Sequence, residues 1–249
     1  MARKTGLQPW AVGVWLLAWQ GASMALRLPI LLPSPLAALG RLGELACTGP
    51  FWRAVAWSSV RILGGFLLAC LAAVGLAILA FRRRWVRELL APLTAAVKAV
   101  PVASFIVLAL VWLESRWLSC FIAGLMVFPT VYLNVLEGIG QADPKLLEMA
   151  RVFRVSPWRQ AAGIYLPAVL PAFRAACSLG LGLCWKAGVA AEVIGLPQGS
   201  LGERLYTAKV YFETADLFAW TAVIVAVSMA FEALFLRGVD ALAGKAGAL

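Results

Sequence analysis

The chain has 249 residues, of which 63% are apolar, 14% are charged and none is His, and its formal net charge is +10. A soluble domain carries about 25% charged residues because its surface must face water, so this composition excludes an ordinary soluble fold. The missing His removes the most common general base and metal ligand, and five Cys without a CxxC spacing indicate neither a disulfide framework nor a zinc site.

Apolar stretches, taken in chain order, define the predicted architecture. A spanning helix needs about 20 apolar residues to cross about 30 Å of hydrocarbon. Three stretches reach this length without any charge, at residues 5–26, 62–81 and 117–136. Three more, at residues 89–113, 168–190 and 217–236, contain one or two charges each. We therefore predict an all-α integral membrane protein with about six transmembrane helices.

The predicted organisation is a single transmembrane domain over residues 1–249. Its spans are expected at about residues 8–26, 58–81, 88–113, 117–137, 167–190 and 216–236. Arg3 and Lys4 precede the first stretch as they would in a signal peptide, but the stretch is too long for a signal core. Residues 26–29 also make a poor cleavage site, since they contain no small residue. We therefore expect the first span to be retained.

The segments between the spans carry helix signals and helix breakers. Residues 35–45 follow a proline-containing stretch at 28–34 and are typical of a short amphipathic helix near the outer interface. The three arginines at 82–84 indicate an inner boundary for span two. In span three, Pro92 and Pro101 remove intrahelical hydrogen bonds, which predicts kinks there.

Lys and Arg residues divide unevenly between the two sides of the membrane. With the amino terminus inside, the inner segments hold twelve of them and the outer segments six. The inner ones are Arg3, Lys4, Arg82, Arg83, Arg84, Arg87, Lys145, Arg151, Arg154, Arg159, Arg237 and Lys245. The outer ones are Arg27, Arg41, Arg53, Arg116, Arg204 and Lys209. Since cytoplasmic segments carry the excess of such residues, we expect both termini in the cytoplasm, and the net charge indicates topology rather than nucleic-acid binding.

The polar segment between spans four and five, residues 143–166, is the most informative part of the chain. Asp143 followed by Pro is a helix start signal, and apolar side chains then recur at helical spacing. Ser156 followed by Pro starts a second short helix, which we expect to end at Pro167. We call this pair of short helices the inner elbow. Such an element can dock into a groove on a soluble partner through its apolar face.

The inner elbow resembles the loop motif of binding-protein-dependent ABC importer permeases. In that family the motif reads EAA, three residues, Gly, nine residues and I-x-LP. Glu148 and Ala150 match, Met149 replaces the central Ala, and Arg154 replaces the Gly. If that Gly turns the chain with a positive φ, a side chain there costs about 1–2 kcal/mol. The second part of the motif is matched by Ile164, Leu166 and Pro167.

Patches elsewhere in the chain resemble the nitrate, sulfonate and taurine permease branch of this family. They lie at residues 32–35, 59–66, 127–134 and 190–195, in the family's order. The resemblance implies the type I importer fold in a multi-pass protein of the bacterial cytoplasmic membrane. It implies a second permease copy, a cytoplasmic ABC ATPase dimer and an extracytoplasmic substrate-binding protein as partners. The implied solute is small and anionic or zwitterionic, like a sulfonate, nitrate or taurine.

In this interpretation the inner elbow transmits motion of the ATPase to the spans. Closure of the ATPase dimer on ATP would tilt spans four and five between inward-open and outward-open states. Phe153 and Leu147 are expected to supply buried contact, and Glu148 and Arg151 to set the orientation. The predicted coupling residues are Leu147, Glu148, Met149, Ala150, Arg151, Phe153, Arg154, Ile164, Leu166 and Pro167. The alternative is a surface loop that only holds the permease's own helices together.

Charged residues inside spans are the second group of candidates, because each costs at least about 2.5–3.5 kcal/mol at the bilayer centre. The candidates for the translocation pathway are Lys98, Arg174, Lys186 and Glu192. In the functional interpretation, the cations give the pathway a positive lining that favours an anionic or zwitterionic solute. In the alternative, they extend to an interface or pair with Glu192 or Glu137.

Two other classes of protein compete with this interpretation. A stand-alone secondary transporter would use a proton or sodium site at mid-membrane and would not need the inner elbow. The sequence shows no internal repeat, which weakens carriers built from inverted repeats. An enzyme is disfavoured because His and a GxSxG serine motif are both missing. We therefore predict a transport subunit without a catalytic site, metal or cofactor of its own, with ATP bound by the partner ATPase.

Overall fold

The computed structural model describes residues 8–28 and 30–246, and these residues form helices and loops without a β-strand. The helices are α1 (Pro9–Leu26), α2 (Pro35–Ala46), α3 (Gly49–Arg82), α4 (Arg84–Ala99), α5 (Val102–Ala109), α6 (Ser115–Gly140), α7 (Pro144–Val152), α8 (Pro157–Gln160), α9 (Leu166–Gly195), α10 (Leu201–Val210) and α11 (Thr214–Ala246). A π-helical segment, Ala161–Tyr165, joins α8 to α9. The predicted all-α fold class is confirmed. Arg3, Lys4 and the side chain of Lys245 lie outside what the structure describes.

Within residues 8–28 and 30–246, four stretches of helix are long and apolar enough to cross a membrane. They are Gly49–Arg82, Ser115–Gly140, Pro157–Gly195 and Thr214–Ala241. The bent pair α4 and α5 makes a fifth if it counts as one span, and the apolar part of α1, Trp10–Leu26, is shorter. The described residues therefore make a multi-pass membrane protein with four or five spans by length and composition, where the sequence predicts about six.

The third predicted span is broken near its middle. α4 and α5 meet at an angle of 106°. Val100 has an extended backbone and Pro101 directly precedes α5, as expected because Pro disfavours helical geometry in the residue before it. The kink predicted at Pro101 is thus a sharp break. Pro92 lies inside α4, which continues through it.

The centre of the fold is the packing of α3, α6 and α9. Ile62 and Phe66 of α3 are fully buried there, together with Val127 of α6. At Gly65, an added Cβ would lie 2.1 Å from the Cys120 carbonyl oxygen, so α3 and α6 touch backbone to backbone. In a membrane, helices associate through such close packing because lipid supplies no hydrophobic drive between them. The three helices therefore act as one packed unit.

Polar contacts attach α2 and α11 to this centre. α2 has the predicted bounds within one residue, and the Ser34 hydroxyl caps it by accepting from the Ala37 N–H at 3.1 Å. Arg41 of α2 forms a two-point ion pair with Asp216 at the start of α11. Further along α11, Glu232 accepts a hydrogen bond from the Ser178 hydroxyl of α9 at 2.5 Å. α11 is thus held at its start and again past its middle.

Candidate functional site: the inner elbow and the charges within the spans

The inner elbow begins where the sequence places it. α7 starts at Pro144, and the Asp143 carboxylate accepts a hydrogen bond from the Lys145 N–H at 2.9 Å. This bond satisfies one of the free N–H groups at the helix start, and Pro fits there because its missing N–H would be unpaired anyway. The predicted N-cap is confirmed.

The turn after α7 is a Schellman motif, the two-bond arrangement that commonly ends a helix. The Val155 N–H donates to the Ala150 carbonyl at 2.8 Å. The Arg154 N–H donates to the Arg151 carbonyl at 3.1 Å. Arg154 has a φ of 51°, in the left-handed region that favours Gly. The position where the family motif has Gly is therefore a left-handed turn residue. Arg at this position carries the backbone strain that is expected of a side chain at a positive φ.

The second half of the inner elbow differs from the prediction. Ser156 precedes α8 as expected, but the helix does not end at Pro167. It continues through the π-helical segment into α9, so that Pro157–Gly195 is one apolar helix of 39 residues. The Leu166 N–H bonds to the Ala161 carbonyl, five residues back, which widens the turn ahead of the proline. The predicted end at Pro167 is wrong because this wider turn accommodates the ring.

Six large apolar side chains of the inner elbow are exposed, and we call the four most exposed ones the elbow patch. Trp158 is 81% exposed, Val152 77%, Phe153 74% and Met149 51%. They lie within ten residues of one another around the turn at residues 153–156. Single apolar residues on a surface are ordinary, but several large ones in one polar segment mark an interaction site. The elbow patch is therefore a candidate contact surface.

Charged side chains accompany the elbow patch. The cations are Lys145, Arg151, Arg154 and Arg159, and the acids are Asp143 and Glu148. All six are exposed, and none forms an ion pair with another described residue. Four cations against two acids leave an excess of two positive charges at neutral pH. A surface complementary to the inner elbow is thus apolar at its centre and acidic at its rim.

The predicted coupling residues divide between this surface and the chain's own interior. Ala150 is 2% exposed, and Leu147 and Ile164 are half-buried, so they pack against the rest of the chain. The exposed ones are Glu148, Met149, Arg151, Phe153, Arg154, Leu166 and Pro167. Val152 and Trp158 were not among the predicted coupling residues, although a large apolar residue in so polar a segment indicates a contact surface.

The two long helices that flank the inner elbow touch each other directly behind it. α6 leads into the elbow and α9 leads out of it. At Gly138, an added Cβ would lie 3.0 Å from the Val169 Cα, so no larger residue fits without moving one helix. Interiors packed this closely transmit displacement rather than absorbing it. α6 and α9 are therefore packed as one unit directly behind the inner elbow.

The predicted cations of the spans fall into two groups. Arg174 of α9 is bound to Asp240 of α11 by two hydrogen bonds, with Nε–Oδ1 at 2.5 Å and Nη2–Oδ2 at 3.0 Å. Its partner is thus neither Glu192 nor Glu137, and the pair ties two helices together. Lys98 and Lys186 are exposed and form no ion pair with the described residues.

Glu192 is a buried carboxylate at the junction of three helices. It is fully buried, and one carboxylate oxygen accepts from the Ser58 hydroxyl of α3 at 2.7 Å. The same oxygen accepts from the Gly202 N–H at the start of α10 at 3.2 Å, and Ser58 also accepts from the Leu201 N–H at 2.9 Å. The positive end of α10 stabilises this carboxylate. Glu192 therefore fixes α10 to the bundle and does not line an open surface.

The sequence missed Ser58 and Arg61 as partners of Glu192. Ser58 is separated from Glu192 by 134 positions, and no local pattern connects them. Arg61 lies over the Trp57 ring at 4.8 Å and acts electrostatically on Glu192. The sequence signal for this contact was Arg61, a charged residue within predicted span two and close to Ser58 and Ser59.

A family model for binding-protein-dependent transport system inner membrane components matches residues 65–245 of the chain. That region includes α4 to α10, most of α3 and α11, and the whole inner elbow.

Individual relatives resemble the chain over most of its length. The riboflavin transport system permease protein RibX of Chloroflexus aurantiacus is 27% identical over 221 residues, which cover 88% of this chain and 82% of that protein. The taurine transport system permease protein TauC of Escherichia coli is 27% identical over 230 residues, covering 88% and 80%. The bicarbonate transport system permease protein CmpB of Synechococcus elongatus is 27% identical over 147 residues, covering 59% and 52%.

Proposed function

Because this chain belongs to the family of binding-protein-dependent transport system inner membrane components and is an ABC importer permease, we propose that a cytoplasmic ATPase drives it through the inner elbow. Membership of this family sets aside the stand-alone secondary transporter. The observation that supports the coupling role is the elbow patch: four large apolar side chains exposed in a polar segment. A soluble partner with an apolar groove would cover them.

The positions of the charges support a particular kind of groove. The excess of two positive charges around the elbow patch favours an acidic rim on the ATPase. Phe153 and Trp158 are the expected anchors, since buried aromatic side chains dominate interface energies. Burying one such side chain contributes about 1.5–3 kcal/mol, or roughly a 10-fold to 100-fold gain in affinity.

The force would reach the transport pathway through α6 and α9. Both helices join the inner elbow directly, and they meet backbone to backbone at Gly138. Closure of an ATPase dimer would carry the two elbows of a permease dimer towards each other and tilt these helices. The π-helical segment Ala161–Tyr165 is a natural joint, because such segments carry weaker, wider hydrogen bonding than an α-helix. The ATPase, not this chain, would bind and hydrolyse ATP.

Lys186 and Lys98 are our candidates for the solute pathway. Lys186 lies nine residues before the end of α9, about 14 Å along the helix, and it is exposed between buried neighbours. A lipid-facing Lys at that depth would cost about 2.5–3.5 kcal/mol, so a water-filled path next to a second permease copy suits it better. A positive lining favours an anionic or zwitterionic solute, in keeping with the taurine and bicarbonate named for two relatives.

The remaining features of the proposal follow the family. We propose a homodimer in the bacterial cytoplasmic membrane, with the inner elbow and both termini in the cytoplasm. An extracytoplasmic substrate-binding protein would deliver the solute to the opposite side. The arginines at 82–84 and the cations of the inner elbow lie on one side under this topology, as the excess of cytoplasmic positive charge requires.

Co-purification with the ATPase tests the coupling proposal. Phe153→Asp should reduce ATPase capture by the detergent-solubilised permease at least about 10-fold, because a carboxylate cannot enter an apolar groove. Phe212→Asp is the matched control, since Phe212 is 72% exposed and lies in the turn between α10 and α11. Unchanged capture and unchanged solute-stimulated hydrolysis in Phe153→Asp would contradict the proposal, provided that both variants elute as folded protein.

A further inference from the structure

A second polar site lies between α4 and α6, away from the inner elbow. A cavity of about 550 Å³ separates the two helices there. Arg87 and Thr94 line it from α4, and Tyr132 and Glu137 line it from α6, with three apolar side chains between them. α4 starts and α6 ends on the side of the inner elbow, so the cavity lies near that boundary. None of these four residues has a role in the coupling or the pathway proposed above.

Tyr132 is the buried polar group of this cavity. Its side chain is 1% exposed, and its hydroxyl has no hydrogen-bond partner among the described residues. The ring stacks on Phe128 with a centroid distance of 5.8 Å, which fixes the direction of the hydroxyl. Buried hydroxyl groups are normally satisfied, so an unpaired one that lines a cavity indicates a ligand group that belongs there.

Two opposite charges face the same cavity without pairing. The Arg87 side chain is exposed and lines the cavity with Tyr132, yet forms no ion pair within the described residues. Glu137 is also exposed, and its contact within the described residues is a long 3.5 Å bond from the Gln141 amide. A cation and a carboxylate that line one cavity while staying apart leave room for a ligand that bears both charges.

We propose that this cavity binds a small zwitterionic group, with a phosphate or sulfonate held by Arg87 and Tyr132 and an ammonium held by Glu137. A guanidinium and a hydroxyl donate to an anionic oxygen, and a carboxylate accepts from an ammonium. Thr94 completes the site as an acceptor, because its hydroxyl proton is already donated to the Ala91 carbonyl at 3.0 Å.

Two sources carry this chemistry. One is a free aminoalkyl sulfonate or phosphate in solution, such as the solute on its way to the inner side. The other is the phosphoethanolamine headgroup of an inner-leaflet lipid.

Binding to the isolated chain tests the site. The full-length protein, purified in detergent, is titrated with O-phosphoethanolamine and with 2-aminoethanesulfonate, and a second sample in nanodiscs is assayed for retained phosphatidylethanolamine by native mass spectrometry. Arg87→Gln should weaken binding about 10-fold to 100-fold, and Tyr132→Phe about 3-fold to 10-fold. Arg84→Gln is the control, since Arg84 lies one turn away on α4 and pairs with Glu88 outside the cavity.

Each outcome has one meaning. Binding of the soluble probes by protein that retains no phosphatidylethanolamine identifies the free solute as the source, and retention of phosphatidylethanolamine identifies the lipid. Glu137→Gln should abolish the preference for phosphoethanolamine over inorganic phosphate, which an ordinary anion site would not show. No binding of either kind, or equal losses in Arg84→Gln and Arg87→Gln, would overturn the site. This inference rests on the proposed function only for placing the cavity near the cytoplasmic side of the membrane. The binding assay needs no ATPase, so a failure of this site can be distinguished from a failure of the coupling proposal.

Discussion

Replacing Arg154 by Gly should stabilise the inner elbow, although it removes a side chain from the proposed contact surface. Arg154 has a φ of 51°, and a residue with a Cβ pays about 1–2 kcal/mol in this left-handed region. Gly adopts this conformation without that cost, but it also makes the unfolded chain more flexible, which lowers the stability by about 0.4–1 kcal/mol. The hydrogen bonds of the turn come from backbone N–H groups and remain. A net gain of about 0.5–1 kcal/mol is expected.

Hydrogen exchange at the turn measures this gain locally. The Val155 N–H donates to the Ala150 carbonyl, so it exchanges when the turn opens. A gain of about 0.5–1 kcal/mol should slow its exchange roughly 2-fold to 5-fold in Arg154→Gly. Arg154→Ala separates charge from backbone, because Ala loses the guanidinium and keeps the Cβ. Arg154→Asn should lie between Gly and Ala, since Asn tolerates this region better than most residues.

Two results would refute the reasoning about Arg154. Equal exchange in the Gly and Ala variants would show that the Cβ is not strained. Faster exchange in both would show that the guanidinium itself holds the turn. A loss of ATPase capture shared by both variants would instead be a separate effect, the loss of one cation from the elbow surface.

Three further substitutions follow from the packing and the charges. Gly65→Ala should lower the apparent melting temperature in detergent by several degrees, because the added Cβ would lie 2.1 Å from a backbone oxygen of α6. Gly64→Ala is the control, since a Cβ at Gly64 would have no atom within 4 Å and should be neutral. Equal shifts in the two variants would contradict the packing. Glu192→Leu should destabilise the protein by about 1–3 kcal/mol, because it leaves the Ser58 hydroxyl and a helix N-terminus unsatisfied. In the same melting assay, Glu192→Gln should keep most of the wild-type stability. Equal stability of the two variants would show that the hydrogen bonds are unimportant. Lys186→Met should reduce solute uptake by reconstituted transporter while ATPase capture stays normal, and full uptake would assign this Lys a structural role.

The starts of the short helices α2, α7 and α8 could be predicted from the sequence because their signals are local. The Asp143 cap lies within two residues of the N–H that it binds, and α2 likewise has Ser34 and Pro35 at its start. The positive φ at residue 154 was foreseen only as a consequence of the family motif, since no composition rule places Arg in a left-handed turn. Local chemistry thus fixed the boundaries of these elements and left their tertiary partners open.

The rest depended on contacts between distant residues. Arg174 pairs with Asp240, 66 positions away, where the sequence offered Glu192 or Glu137 as candidate partners. Pro167 was expected to end a helix, but a π-helical segment absorbs its ring, and hydrogen bonds five residues apart leave no signature in the apolar pattern. The break at Pro101 was predicted as a kink, whereas its angle of 106° depends on what α5 packs against.

Burial within the chain also indicates which polar residues need a partner outside it. Arg174 is satisfied by its two hydrogen bonds to Asp240. Glu192 is fully buried, with one carboxylate oxygen bonded to Ser58 and Gly202 and the other unpaired within the described residues. Lys98 lies in the last turn of α4, where the negative end of the helix stabilises a cation. Lys186 has no such support, and it lies on α9 beside the buried Trp185 and Ala187. Of the four charges, it is therefore the one whose position is best explained by an aqueous pathway, and its substitution is the sharpest test of where the solute passes.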